Sequence, residues 1–160
     1  MRTERIERVR KLVYSLLDEA GLDSQETASS LMHIESVARI SYLLAMRRGI
    51  EKSELAYIAG LLHDVYAIVT GEREKHAEKG SLLATSILNT LAIFTFSECQ
   101  IITEAIRNHS SKKRTDDEYS EVLKDADALD HYLSSSIISA KDRGRIEKAF
   151  FELTEKSPCL

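Results

Sequence analysis

The residues of this sequence that are best suited to chemistry are its five histidines, His33, His63, His76, His109 and His131. His33 and His109 each share a helical stripe with apolar residues, so both imidazoles should face the protein interior. A single histidine on an apolar face is most often a core residue with a satisfied hydrogen bond. Several such histidines on separate elements instead favour a shared function.

An adjacent pair, His63-Asp64, lies in the most apolar stretch of the chain, Leu55–Val65. Burying an imidazole beside a carboxylate costs several kcal/mol unless both groups are paired or bind a metal ion. The pair alone could be a structural hydrogen bond, but with His33 and His109 it favours a common metal. Nitrogen and carboxylate donors together suit Mn, Fe, Co, Ni or Zn, and suit Mg less well.

A further carboxylate ligand is expected, and the segment Lys124–Asp130 offers three aspartates. Asp127 lies one helical turn after Leu123, whereas Asp125 lies between Val122 and Leu129 in the apolar pattern. Periodicity does not choose between them.

The order of these residues closely resembles the signature of the HD superfamily, H…HD…D, over roughly residues 30–134. The HD pair follows the apolar Leu61-Leu62, the first histidine stands in His33-Ile-Glu-Ser-Val-Ala, and the last aspartate stands in Ala-Asp-Ala-Leu. The resemblance selects Asp127 and implies an all-α fold in which His33, His63, Asp64 and Asp127 hold one divalent metal ion. Most members of this superfamily hydrolyse phosphate esters of nucleotides or related metabolites.

Some HD proteins bind two metals through two extra histidines between the HD pair and the last aspartate. His76 and His109 fit that role by order and context. We expect one tight site and a weaker second site, because His76 follows a polar loop. Asp64, as a bridge, and His109, as a ligand or as a hydrogen-bonding group for phosphate, are the candidate catalytic residues. His131 is interpreted as a surface or structural residue.

The sequence departs from the family where many HD hydrolases continue into Gly-Lys, because Val65-Tyr66-Ala67-Ile68 follows the HD pair. Cations for a substrate phosphate must then come from elsewhere, and Arg107 and Lys124 are the candidates. Glu35, near His33 on the same predicted helix, either orients a metal ligand or is solvated.

These features predict a metal-dependent phosphohydrolase whose partner is a small phosphorylated substrate, such as a nucleotide. Two alternatives stay open. One is a regulatory HD protein that binds metal or nucleotide without turnover. The other is a di-iron oxygenase of the same superfamily.

The elements that must position these residues are helices, because helix-breaking residues are scarce: one proline and six glycines in 160 residues. Apolar periodicity predicts about seven helices and no sheet. The resemblance implies that residues 1–160 form one compact HD domain. The predicted helices span 4–20, 24–48, 53–69, 76–91, 97–109, 118–134 and 141–156. The core lies at about 30–134, and the first and last helices pack on it.

Charge and composition argue against several classes of protein. The net charge of −4 argues against a dedicated nucleic-acid binder, which usually carries a basic face. No stretch approaches the ~20 apolar residues of a membrane span. The two cysteines, Cys99 and Cys159, form no disulfide framework. We therefore expect a cytoplasmic protein, with a homodimer as the arrangement that the family suggests.

Overall fold

The structure is a computed structural model that describes residues 3–135 and 142–155, and these residues form eight α-helices. Helices account for 79% of them and no strand occurs among them, which confirms the all-α prediction. The helices are α1 (Thr3–Glu19), α2 (Ser24–Arg47), α3 (Ser53–Leu62), α4 (Val65–Thr70), α5 (His76–Leu91), α6 (Phe96–Asn108), α7 (Glu118–Ser135) and α8 (Arg143–Thr154). Residues 141 and 156, the predicted ends of the last helix, and Cys159 lie outside the described residues.

The predicted helix over residues 53–69 is two helices, α3 and α4, and they are separated at His63-Asp64. Asp64 adopts φ −112° and ψ 3°, a bridge conformation in which residues of active sites often occur. The apolar pattern continues across this break, so periodicity could not reveal it. Because of this break, the side chains of His63 and Asp64 do not follow the spacing of about 100° between neighbouring residues in one continuous helix.

Two helix starts are fixed by capping boxes, in which side chain and backbone satisfy each other's free donors. The Asp23 carboxylate accepts from the backbone N–H groups of Gln25 and Glu26, at 2.8 Å each, at the start of α2. Thr95 and Glu98 form the same arrangement at the start of α6. These caps set where the helices that carry His33 and His109 begin.

The central element is α3, whose residues Leu55–Leu62 are all buried. It packs against α1, α2, α6 and α7. At Gly60 the backbone of α2 comes so near that an added Cβ would lie 2.5 Å from the Cα of Ala38. Only glycine permits this approach, which brings the helices of His33 and His63 together.

The outer helices close the two ends of the core. Four apolar residues of α1 are buried on one face, Ile6, Val9, Val13 and Leu17. On α8, Ile146 and Ala149 are buried, and this helix packs against α7 and α2. No helix within the described ranges combines the length and the apolar character that a membrane span needs.

Candidate metal centre

The structure brings the six sequence-predicted ligands to one place from separate elements. His33 projects from α2 and Asp127 from α7, whereas the other four lie at helix ends. His63 follows α3, Asp64 precedes α4, His76 begins α5 and His109 follows α6. Helix ends leave the chain free to turn, which lets neighbouring helices point ligands at a common centre.

The first cluster contains His33, His63, Asp64 and Asp127. The two imidazole Nε2 atoms are 3.2 Å apart. Asp127 Oδ1 lies 3.7 Å from Nε2 of His33 and 3.8 Å from Nε2 of His63. Asp64 Oδ2 lies 4.0 and 3.9 Å from the same two nitrogens. Donor atoms that each lie about 2.1 Å from one metal ion are about 3 to 4 Å apart, so this spacing fits one ion.

The second cluster uses the other oxygen of Asp64. Its Oδ1 lies 3.5 Å from Nε2 of His76 and 3.4 Å from Nε2 of His109. The two imidazole nitrogens are 3.2 Å apart. Asp64 therefore presents one oxygen to each cluster, which is the arrangement of a carboxylate that bridges two ions.

Three of the imidazoles are oriented by their own backbone. In each, Nδ1 lies within hydrogen-bond distance of the carbonyl three residues earlier, at 2.8 Å in His63, 3.0 Å in His76 and 2.6 Å in His109. A carbonyl can only accept, so Nδ1 carries the proton. In the neutral ring, Nε2 then has a free lone pair, and it points into the cluster.

His33 is oriented by a side chain instead. Its Nδ1 lies 2.7 Å from Oδ2 of Asp130, which is buried on α7. A carboxylate behind a ligating imidazole fixes the tautomer and raises the basicity of the ring. The sequence analysis missed this residue. Asp130 stands three positions after Asp127, on the same helix face, and that spacing could have indicated it.

The free atoms of the clusters fit a cation. Asp64 Oδ1 and Asp127 Oδ1 are buried, and among the described residues neither accepts a hydrogen bond. The paired Nε2 atoms lie 3.2 Å apart in both clusters. Buried acceptors without donors are costly, and a bound divalent ion would satisfy all of them at once. Groups of three such residues in this region could each hold a metal ion.

The protonation states of His63, Asp64 and Asp127 also fit a bound cation. Complete burial lowers the pKa of His63 to about 4, so its ring is neutral at pH 7. Burial alone would raise the pKa of Asp64, but the neighbouring His63 and His109 outweigh it and keep that pKa well below its usual range. The pKa of Asp127 is also held well below its usual range, since the nearby imidazoles and Lys112 outweigh its burial. The site therefore combines a neutral imidazole with two ionised carboxylates.

His131, which the sequence analysis treated as a surface or structural residue, contacts the site. Its Nε2 lies 3.2 Å from Asp127 Oδ1, one helical turn away, and its side chain is 64% exposed. Together with His33 and Asp127 it forms a further group that could hold a metal. The four-residue spacing from Asp127 was the signal for this contact.

Neither predicted phosphate cation reaches the clusters. The ammonium of Lys124 is instead fully buried, and it donates to Asp116 at 2.5 Å and Glu121 at 2.9 Å. Arg107 is exposed and lines a neighbouring hollow that contains none of the six ligands. The cation that does reach the site is Lys112, whose Nζ lies 2.6 Å from Asp127 Oδ2.

Glu35 follows neither expectation from the sequence. It is buried, and its carboxylate accepts from Arg10 at 2.6 Å and from the hydroxyls of Tyr14 and Tyr57 at 3.0 Å each. This network joins α1, α2 and α3. Glu35 therefore ties helices together instead of orienting His33.

Two cavities open onto the clusters, and both are lined by Asp64, Arg73 and His131. The loop-side cavity, of about 700 Å³, also contacts the segment Ser110–Arg114, which we call the basic loop. The serine-side cavity, of about 440 Å³, is lined by His33 and Asp130 and by the hydroxyl side chains of Ser29, Ser30, Ser36 and Ser134. A molecule bound across the clusters would therefore enter two different environments.

Comparisons with known proteins agree with this geometry. The family model of the HD domain matches residues 31–132. The chain is also similar to the crystal structure of a predicted HD superfamily hydrolase from an uncultured Thermotogales bacterium, with 26% sequence identity and a TM-score of 0.63. That similarity covers 94% of this chain and 91% of the other. No curated protein matches the sequence.

Proposed function

The chain belongs to the HD-domain family, and from this premise we propose that it is a divalent-metal-dependent phosphohydrolase acting on a nucleotide or a related small phosphorylated metabolite. The observation that carries the proposal is Asp64, whose two oxygens face two separate imidazole clusters. A divalent ion bound there supplies a Lewis acid that polarises a phosphoryl oxygen and activates water for attack on phosphorus.

In this proposal His33, His63, Asp64 and Asp127 hold the tighter ion. Asp64, His76 and His109 hold the weaker one. The second set has one carboxylate where the first has two, and His76 is more exposed than the fully buried His63. Asp64 and His109 remain the proposed catalytic residues, because Asp64 couples the two positions and His109 borders the loop-side cavity.

Lys112 is the proposed cation for the scissile phosphate. Its ammonium lies 2.6 Å from Asp127, so a phosphoryl group bound at the clusters would be within its reach. The chain has no lysine directly after the HD pair, where Ala67 is buried against the core. A cation from the α6–α7 connection therefore takes over the role of neutralising charge on the substrate.

Metal analysis together with a phosphatase screen tests the proposal. The purified protein should contain Mn, Fe, Co, Ni or Zn and should release phosphate from at least one nucleotide when Mn, Co or Ni is added. Asp64→Ala should lose both the metal and the activity, since it removes an oxygen from each cluster. Full occupancy without hydrolysis across the panel would instead indicate the regulatory alternative. Oxygen consumption by an iron-loaded protein would indicate the oxygenase.

His109→Ala tests the second metal position. With two ions, the metal content should fall from two per chain toward one, and hydrolysis should be lost with it. With one ion, the content should stay at one and only the rate should fall. Unchanged content and unchanged activity would remove His109 from the site.

A further inference from the structure

The loop-side cavity carries an excess of positive charge that a single phosphate does not require. The basic loop supplies three consecutive cations, Lys112, Lys113 and Arg114, and Arg73 lines the same cavity. Beside the proposed metal ligands Asp64 and Asp127, Asp142 is the one carboxylate among the described residues that line it. Lys112 is paired with Asp127 at 2.6 Å and Arg114 with Asp116 at 2.8 Å, whereas Lys113 is exposed and makes no ion pair with any described residue.

We propose that the basic loop binds a second anionic group of the substrate, so that the substrate is a phosphate ester that carries a further phosphate or an equivalent anion. This inference rests on the proposed function, because it places the scissile phosphate at the metal clusters. The second anion would lie in the loop-side cavity, within reach of Lys113.

The serine-side cavity differs in charge from the loop-side cavity, and this difference determines which end of the substrate each cavity binds. Arg73 is the only lysine or arginine among the described residues that line it, and Asp130 contributes an opposing charge. The Ser29 hydroxyl already donates to the carbonyl of Glu26 at 3.1 Å, but all four serine oxygens can accept from hydroxyl groups. Met32, which is 74% exposed, offers an apolar contact. A second phosphate is disfavoured there, whereas a neutral, hydroxyl-bearing part of the substrate is accommodated.

The basic loop is held in place before any ligand arrives. Arg145 Nε donates to the carbonyl of Lys112 at 2.9 Å, and Lys124 Nζ donates to the carbonyl of Arg114 at 2.8 Å. Arg145 is itself fixed by Glu121 at 2.8 Å and Asp125 at 2.7 Å. A loop that is already ordered loses little further freedom on binding, which favours affinity. Lys124 and Arg145 are therefore positioning residues for the cations of the loop.

The positive surface continues beyond the loop. A hollow of about 530 Å³ shares Ser110, Ser111 and Arg114 with the loop-side cavity and adds Lys75 and Arg107. Glu78 is the one carboxylate among the described residues of this hollow. Arg107, which the sequence analysis placed at the substrate phosphate, thus lies on the outer side of the loop. It extends the positive field that attracts an anion toward the loop.

Phosphonates with non-hydrolysable P–C bonds test the proposal on the metal-loaded protein. Calorimetry would compare the dissociation constants of methylphosphonate, propane-1,3-diphosphonate and pentane-1,5-diphosphonate. We expect at least one diphosphonate to bind about tenfold more tightly than methylphosphonate, the size of one hydrogen bond to a charged group. Equal binding of all three would overturn the proposal. Failure of every phosphonate to bind would overturn the proposed function as well.

Variants of Lys113 locate the second anion. In Lys113→Glu, the ratio of the methylphosphonate to the diphosphonate dissociation constant should fall to about two, the value expected for a ligand with two equivalent ends. In Lys113→Arg, this ratio should stay at its value in the unaltered protein. Metal content should not change in either variant, and the diphosphonate preference is taken relative to the methylphosphonate affinity of the same variant. Lys11→Glu, an equally exposed lysine on α1, is the matched control. A preference that survives Lys113→Glu would overturn the assignment to the basic loop.

Arg145→Lys tests the anchoring of the loop. It keeps a positive charge between Glu121 and Asp125 but does not reproduce the bond from Nε to the Lys112 carbonyl. Diphosphonate affinity should fall about threefold, with metal content unchanged. A diphosphonate affinity equal to that of the unaltered protein would show that this bond does not position the loop.

Discussion

Of the three buried aspartates of helix α7, Asp125 and Asp127 lie only two residues apart and have opposite surroundings. Asp125 lies between two guanidinium groups, with Arg48 at 2.6 Å and Arg145 at 2.7 Å. Asp127 faces the imidazoles of His33, His63 and His131, and its Oδ1 accepts no hydrogen bond within the described part of the chain. We call these the ionic face and the metal face of α7.

The difference shows how one helix can serve stability and binding at once. On the ionic face each buried charge has opposite charges beside it, so removing one partner exposes the others to a large desolvation cost. On the metal face the carboxylate charge of Asp127 is incompletely compensated. This lowers the stability of the folded protein, and a bound cation would restore it. Stability and metal affinity should therefore respond to separate substitutions.

The largest expected effect is on metal binding, in Asp127→Asn. The change removes a charged donor of the first cluster while keeping its shape. Metal retention should fall at least about a hundredfold and hydrolysis should fall with it, more than is typical when a supporting residue is lost. Elemental analysis after dialysis measures this. A variant that keeps its full metal content would mean that Asp127 is not a ligand.

The matched change on the ionic face, Asp125→Asn, should act on stability instead. It removes the carboxylate that Arg48 and Arg145 share and leaves each with one other carboxylate, Glu152 at 2.9 Å and Glu121 at 2.8 Å, so the unfolding free energy should fall by on the order of 1–3 kcal/mol. Metal content should stay that of the unaltered protein. Urea unfolding of both variants in chelator gives the comparison. A loss of metal from the folded Asp125→Asn protein would contradict the separation of the two faces.

Acid should weaken the ionic face. Burial alone would raise the pKa of Glu121, but its bonds to Lys124 and Arg145 outweigh burial and keep that pKa below 4.5. The stabilisation is therefore complete above about pH 4.5 and is lost as the pH falls toward the lower, folded-state pKa. Between pH 7 and pH 4, Glu121→Gln should lose less unfolding free energy than the unaltered protein. Equal losses in chelator would show that Glu121 does not contribute.

The smallest effect is expected for His131→Ala on the metal face. Although its ring contacts Asp127, the side chain is 64% exposed, and exposed substitutions usually change stability by less than about 0.5 kcal/mol. Metal content should not change, because the four donors of the first cluster remain. A fall in metal content after this substitution would make His131 a ligand and widen the metal face.

The contrast between the two faces also explains what the sequence could predict. Apolar stripes around His33 and His109 indicate inward rings, and the structure brings the six predicted residues together; their metal binding stays a prediction. Asp127 was selected over Asp125 by family resemblance alone. The partner Arg48 of Asp125 is 77 residues away in sequence, so no local pattern could assign that carboxylate to an ion pair.

The position of Lys124 was hidden for a related reason. A lysine is normally exposed, and the burial of Lys124 depends on its ion pairs with Asp116 and Glu121. The break between α3 and α4 was hidden as well, because apolar residues flank His63-Asp64 on both sides. Sequence periodicity reports which side of a helix is inside, but not which buried charge meets which partner.

The backbone acceptors behind His63, His76 and His109 bear on how this site tolerates mutation. Those rings are oriented by main-chain carbonyls, which every amino acid possesses, so no side-chain replacement at the accepting positions deletes the acceptor. His33 alone among the four depends on a side chain, Asp130, and one codon change there can remove its support. Substitutions at the accepting residues therefore leave the hydrogen bonds of three imidazoles intact, whereas a substitution of Asp130 removes the hydrogen bond of the fourth, His33.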